Sequence, residues 1–346
     1  MRKFWWWGVP AMLVAIVVAF LYADESLGDH SDLQPAPRPE RGWTPEQLAL
    51  RVNYEASVPP GDLVEHAFTR VAAARAWVAQ HDAKRVGIVQ ELLTTPEAPW
   101  FPVEEALPIR YHYSLLKLQF LHVITLEAGK ARWAELHSLC ECARNITVVP
   151  IAVRYLYRRS LNESIRSLLA HDARSATQVA DVLRLIELCE TTAFDPAGVE
   201  EAIRNSFAWG GSDVYKDDPH TFWFKPNATI NAEARIHRAA IAAIRSGSDT
   251  IEMPARRSWV TNSKGSAWAA FRGGDARGMV SQARKDRSSY LATRAALAVR
   301  HFELANRRLP PDVVTAWPEA KPEQLRRITY DPVQRRADAG EAFAEF

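Results

Sequence analysis

The chain opens Met1-Arg2-Lys3 and then runs from Phe4 to Tyr22 without a charged residue. No other feature limits its fold as strongly. Nineteen residues at ~1.5 Å each make about 28 Å of helix, close to the ~30 Å hydrocarbon core of a bilayer. Trp5, Trp6 and Trp7 stand at one end of the run and Tyr22 at the other, and such rings favour the headgroup layer. Pro10 removes one backbone donor in the early turns. Arg2 and Lys3 precede the run, which predicts a cytoplasmic N-terminus and a periplasmic body beyond the inner membrane. A cleaved signal peptide would carry a shorter apolar stretch and an Ala-x-Ala-like site. Leu21-Tyr22-Ala23 is a poor site. Residues 1–23 therefore read as an uncleaved signal-anchor, a single-pass link to the membrane.

Composition limits the rest. A 47% hydrophobic, 24% charged chain is neither disordered nor a low-complexity fibre. Lys+Arg 43 against Asp+Glu 41 gives a net charge of +2, which removes the electrostatic footprint of a dedicated nucleic-acid binder. The near balance conceals two blocks. Asp181–Asp218 holds nine acidic and three basic residues, whereas Pro254–Ser288 holds eight basic and two acidic. Three cysteines, Cys140, Cys142 and Cys189, make no disulfide framework. Cys140 and Cys142 point apart on a helix, which leaves either three buried thiols or one bridge through Cys189.

Residues 24–42, acidic and then rich in proline, predict an extended linker. From 43 to 346 the pattern is helical almost throughout and predicts one envelope-facing domain. Thr44, Pro45 and Gln47 mark its first helix start. Helices are expected over about 63–78, 85–93, 104–127, 131–144, 149–170 and 173–192, joined by short turns that imply antiparallel neighbours. Irregular loops are expected at 206–226 and at 246–280, which holds five glycines. Asn227 is a candidate N-cap for a helix through about Arg245, and a long helix is expected over 281–306. Ile328-Thr329-Tyr330 is a candidate strand. The fold class is mainly α: a transmembrane helix, then an irregular antiparallel α-helical array with a small C-terminal strand and turn segment.

The tail, Arg307-Arg308-Leu309-Pro310-Pro311-Asp312 followed by Ile328-Thr329-Tyr330-Asp331-Pro332, resembles the segment after the long helix in type II secretion pseudopilins. The processing-site glycine and the Phe-Thr-Leu-Ile-Glu-type start of that family are absent, which counts against a pilin-type assembly. The segment Phe224-Lys225-Pro226-Asn227-Ala228-Thr229-Ile230-Asn231, with the anchor, the helical body and this tail, resembles an uncharacterised family of bacterial membrane-anchored helical proteins. That resemblance implies the architecture and assigns no catalytic residue.

Chemistry-bearing motifs are sparse. His137, Cys140 and Cys142 lie close together but lack the fourth ligand that structural zinc needs, so no metal or cofactor is expected. No nucleophile elbow and no phosphate-binding glycine pattern occurs. Asp217, Asp218 and His220, beside Phe222-Trp223-Phe224, are the candidate catalytic residues, able in principle to serve as general acid and base of an envelope hydrolase. The competing expectation is a turn followed by anchoring aromatics. Phe222, Trp223, Lys225, Asn227, Arg256, Arg257, Arg272 and Arg277 are the candidate interaction residues. The leading functional expectation is a non-enzymatic interaction or scaffold protein, whose partner is an envelope or membrane protein. The alternatives are the hydrolase and a secretion-system accessory protein.

Overall fold

The structure, a computed structural model, describes residues 12–18, 23–35, 44–94, 111–145, 151–210, 224–248, 250–251 and 262–346. Of the apolar run, residues 12–18 are helical, and Met12, Leu13, Val14, Ile16, Val17 and Val18 are each 46–62% exposed. Residues 1–11 and 19–22 of the expected anchor lie outside the described residues. Among the described residues no helix is long and apolar enough to cross a membrane.

The protein is mainly helical with one small C-terminal sheet. It divides into two compact units, Met1–Ala36 with Pro196–Ser281, and Pro37–Asp195 with Gln282–Phe346. The second unit holds α1 (Pro45–Arg51), α2 (Gly61–Glu65), α3 (Val71–Gln80), α4 (Asp82–Thr94), α5 (Tyr111–Thr125), α6 (Lys130–Asn145), α7 (Ile151–Ser175) and α8 (Val179–Thr191). The first unit holds α9 (Pro196–Gly210) and α10 (Pro226–Ser246). One long helix, α11 (Ser263–Asn306), contributes to both. The second unit ends with α12 (Val313–Ala316), α13 (Pro322–Leu325) and strands β1 (Ile328–Asp331), β2 (Arg336–Ala339) and β3 (Ala342–Glu345).

In the second unit α4, α5 and α6 pack on one another, and α6, α7 and α8 do the same. The short connections, such as 126–129 between α5 and α6, leave neighbours in sequence as neighbours in space. Their shared core takes Leu92, Leu115, Leu121, Leu136, Leu139, Ile165, Leu168, Leu185 and Leu188. Residues 290–299 of α11 are all buried. This stretch, Tyr-Leu-Ala-Thr-Arg-Ala-Ala-Leu-Ala-Val, is apolar or small nearly all round, as a helix enclosed by others must be.

The tail forms a three-stranded antiparallel meander in the order β1-β2-β3 where the sequence shows one candidate strand. β2 (Arg-Ala-Asp-Ala) and β3 (Ala-Phe-Ala-Glu) hold no β-branched residue, so propensity conceals them. Two tight turns make them, with Arg335 at φ 52° and Gly340 at φ 61°. Ala337, Ala339 and Ala344 are buried, and β3 packs against α7.

In the first unit, α10 begins with Pro226 at its first turn, and Asn227 lies inside the helix instead of capping it. Proline fits that place because its missing N–H would be unpaired there anyway. The cap comes from 203 residues earlier in the chain: the Asp24 carboxylate accepts from Asn227 N at 2.9 Å and from Ala228 N at 3.0 Å. The helix closes at Gly247, φ 68°, where Ser248 N donates to Ala243 O. The start of α11 is a second departure. The glycine-rich stretch expected to be loose is helical from Ser263 onward. Gly273 shows why one glycine belongs there: a Cβ at this position would stand 2.7 Å from both Cδ1 and Cγ2 of Ile236. Only a bare backbone lets α11 lie this close to α10.

Candidate functional site

The acidic segment just after the apolar run is held along α10. Gly28 N and His30 Nε2 bond Asn231 Oδ1, each at 3.0 Å. Asn231 Nδ2 donates to Ser26 O at 3.0 Å, and Asn227 Nδ2 to Glu25 O at 2.9 Å. Arg238 forks onto both Asp32 carboxylate oxygens at 2.6 and 2.8 Å and onto Asp29 O at 2.7 Å. The Arg238 bonds hold the Asp32 carboxyl below its ordinary range. Leu33 is fully buried there, and the short turn Ser31–Leu33 touches both α9 and α10. Residues 24–34, read from sequence as the start of a linker, thus form part of the first unit.

The inner face of α10 carries Thr229, Glu233 and His237, and Lys225 immediately before the helix continues their intervals of four; all are under 8% exposed. Such spacing places them in one row along the helix. Asn262, immediately before α11, ties the row to the next helix: its Oδ1 accepts from Lys225 N at 2.8 Å, and its Nδ2 donates to Thr229 Oγ1 at 3.2 Å. His237 Nδ1 donates to Glu233 O at 3.0 Å. Phe207 meets the rings of both His237 and His30 edge-on, at 5.3 and 5.6 Å. The row is a period of four in the sequence, and only its first member, Lys225, is among the candidate residues read there.

The outer face of α11 is different. Trp268 is 43% and Phe271 76% exposed, and their rings meet edge-on at 6.1 Å. Lys264, Ala267, Gly274, Asp275 and Gly278 share the exposed side, whereas Ala269, Gly273, Ala276, Met279 and Val280 are buried. Lys264 Nζ stands 5.2 Å from the centroid of the buried Phe224 ring, so its ammonium is steered by a fixed aromatic. An exposed phenylalanine beside an exposed tryptophan is costly in water, roughly 25 cal/mol per Å² of apolar surface left uncovered, and adjacent exposed aromatics mark contact surfaces.

The residues expected from sequence fall as follows. Asp217, Asp218, His220, Phe222, Trp223, Arg256 and Arg257 lie outside the described residues. Lys225 is buried, and Asn227 binds the segment 24–26. Arg272 lies on α11, and Arg277, exposed on the same helix, donates to Ala270 O at 3.2 Å. Trp268 and Phe271 lie within the basic segment Pro254–Ser288 but are not among the candidate interaction residues read from the sequence. Among the described residues no three His, Cys, Asp or Glu side chains gather as a metal site. Cys140, Cys142 and Cys189 are free and buried. Burial pushes the Cys140 thiol up to about 11 and those of Cys142 and Cys189 up to about 12. No family model, no curated protein and no solved structure matches the chain.

Proposed function

We propose that the chain is a membrane-anchored, non-enzymatic interaction protein of the bacterial envelope, and that its contact surface is the outer face of the first turns of α11. The observation that carries this reading is Phe271, 76% exposed beside the exposed Trp268 on one helix face. Folding alone gives no reason to leave that pair in water. The anchor is supported by residues 12–18, whose large apolar side chains are exposed around two turns of helix, the arrangement lipid would cover. The docking of residues 23–34 on α10 would then hold the first unit close to the bilayer, with little free chain between.

The rival reading is a hydrolase acting through Asp217, Asp218 and His220. Those three residues lie outside the described residues, so no observed geometry supports it. The test is a photo-crosslinking amino acid at position 271 in the full-length protein in cells, with membrane flotation of the same material. Flotation with discrete crosslinked species supports the proposal. A soluble protein, or a floating one that captures nothing at 271, would overturn it. A captured secretion component would make the protein an accessory of that machinery.

A further inference from the structure

The exposed face of α11 reads Lys264, Trp268, Phe271, Asp275 and Gly278, at spacings of four, three, four and three. At about 100° per residue these positions fall within about 80° of one another, forming the narrow seam of a two-stranded coiled coil. The seam has a symmetry of its own. Its aromatic pair is centred between residues 269 and 270, with Lys264 on one side and Asp275 equally far on the other.

We infer that the partner of this face is a second copy of the chain, with the two α11 helices antiparallel about a two-fold axis passing between residues 269 and 270. This inference rests on the reading of the face as a contact surface. In that register Trp268 of each copy lies over Phe271 of the other, and Lys264 of each lies opposite Asp275 of the other. The same patch serves both subunits, as a two-fold interface requires. Ala267 and Gly274 flank the seam with little side chain, and a Cβ built at Gly274 or at Gly278 within the seam meets no other atom within 4 Å. The two backbones can therefore approach closely enough for the rings to overlap. A parallel in-register pair would instead set Lys264 on Lys264 and Asp275 on Asp275, which like-charge repulsion disfavours. A two-fold axis along the membrane normal lets both anchors enter one bilayer.

The test uses full-length protein in its membrane, with Lys264→Cys and Asp275→Cys carried on two differently tagged copies and oxidised with copper phenanthroline. The native cysteines are buried and contribute little background. A disulfide between a Lys264→Cys copy and an Asp275→Cys copy is expected, with none between two Lys264→Cys copies. In mild detergent, Lys264→Asp or Asp275→Lys alone should raise the dimer dissociation constant about tenfold, and the two together should restore it. A link between two 264 positions overturns the inference, as does a wild-type monomer at micromolar concentration or failure of the double swap to restore pairing. The crosslinker at 271 separates the two ideas. Capture of another protein or of lipid by a monomeric chain refutes self-pairing and leaves the contact surface standing, whereas a monomer that captures nothing refutes both.

Discussion

Among the described residues Arg166 is the most enclosed charged side chain of the second unit, and replacing it by methionine tests how that unit is held together. The guanidinium is fully buried on α7. Nη1 donates to Asp286 Oδ1 at 2.6 Å and to Asp286 O at 3.0 Å, Nε donates to Thr192 Oγ1 at 3.2 Å, and Nη2 donates to Thr192 O. Asp286 is 4% and Thr192 0% exposed, so water cannot replace these bonds. Arg166→Met keeps the bulk, removes the donors and leaves the buried Asp286 carboxylate without its hydrogen-bonded cation, with only the longer-range pull of Arg158 and Arg159. Breaking one partner of a buried pair typically costs ~3–5 kcal/mol. For a unit of this size each kcal/mol shifts Tm by about 2–4 °C, so a loss of about 4 kcal/mol lowers it by ~8–16 °C. Burial already pushes the Asp286 carboxyl up, against the pull of Arg166. A folded-state pKa above the unfolded value means the folded form holds its proton more tightly, so stability falls as pH rises through the folded pKa. Without Arg166 that pKa climbs further. Part of the lost stability should therefore return when the pH is lowered from 7 toward about 5. Removing both charges, Arg166→Met with Asp286→Leu, should recover most of the loss. Intrinsic fluorescence melts of the detergent-solubilised protein read all three results. A single variant within ~1 kcal/mol of wild type, or a double variant no better than the single, would refute the argument that this pair is a sealed ionic bond.

Three further outcomes follow from the same structure. Asp24→Ala removes the acceptor for the first amides of α10 and should cost ~1 kcal/mol, with faster hydrogen exchange at Asn227 and Ala228; unchanged exchange there would refute the remote cap. Gly273→Ala drives a methyl into Ile236, whose branched side chain has little freedom in a helix. The overpacking, ~1–3 kcal/mol, should outweigh the ~1 kcal/mol that alanine gains in helix propensity, and a variant with a raised melting temperature would show the two helices are not in contact. Cys140, Cys142 and Cys189 should resist iodoacetamide at pH 8 in the folded protein and react once it is denatured, as mass spectrometry would record; rapid labelling of any of them under native conditions would contradict the burial that raises their pKa values.

The helices of the second unit were largely legible in the sequence because each repeats its apolar residues on a 3–4 spacing and ends at proline, glycine or a short polar join. Pro45 opens α1 as expected, and α6 and α7 begin and end within a few residues of their predicted spans except at the C-terminus of α7. The candidate site was less legible. Charge pointed to the segment 254–288, but the surface there is set by two aromatics whose exposure depends on which side of α11 faces α10. A seam of lysine, tryptophan, phenylalanine, aspartate and glycine has no uniform apolar character, so periodicity alone does not single it out.

By itself the sequence determined the apolar N-terminal run, the near-neutral but polarised charge, and the helical character of the body, because these depend on local composition and on spacings of a few residues. Tertiary structure decided what depends on distant partners. Asp24 caps a helix 203 residues away, Gly273 is needed only because Ile236 lies against it, and alanine-rich strands form only where turns and the packing of β3 on α7 hold them. Those features are energies of contact between segments far apart in the chain, and no local pattern of residues carries them.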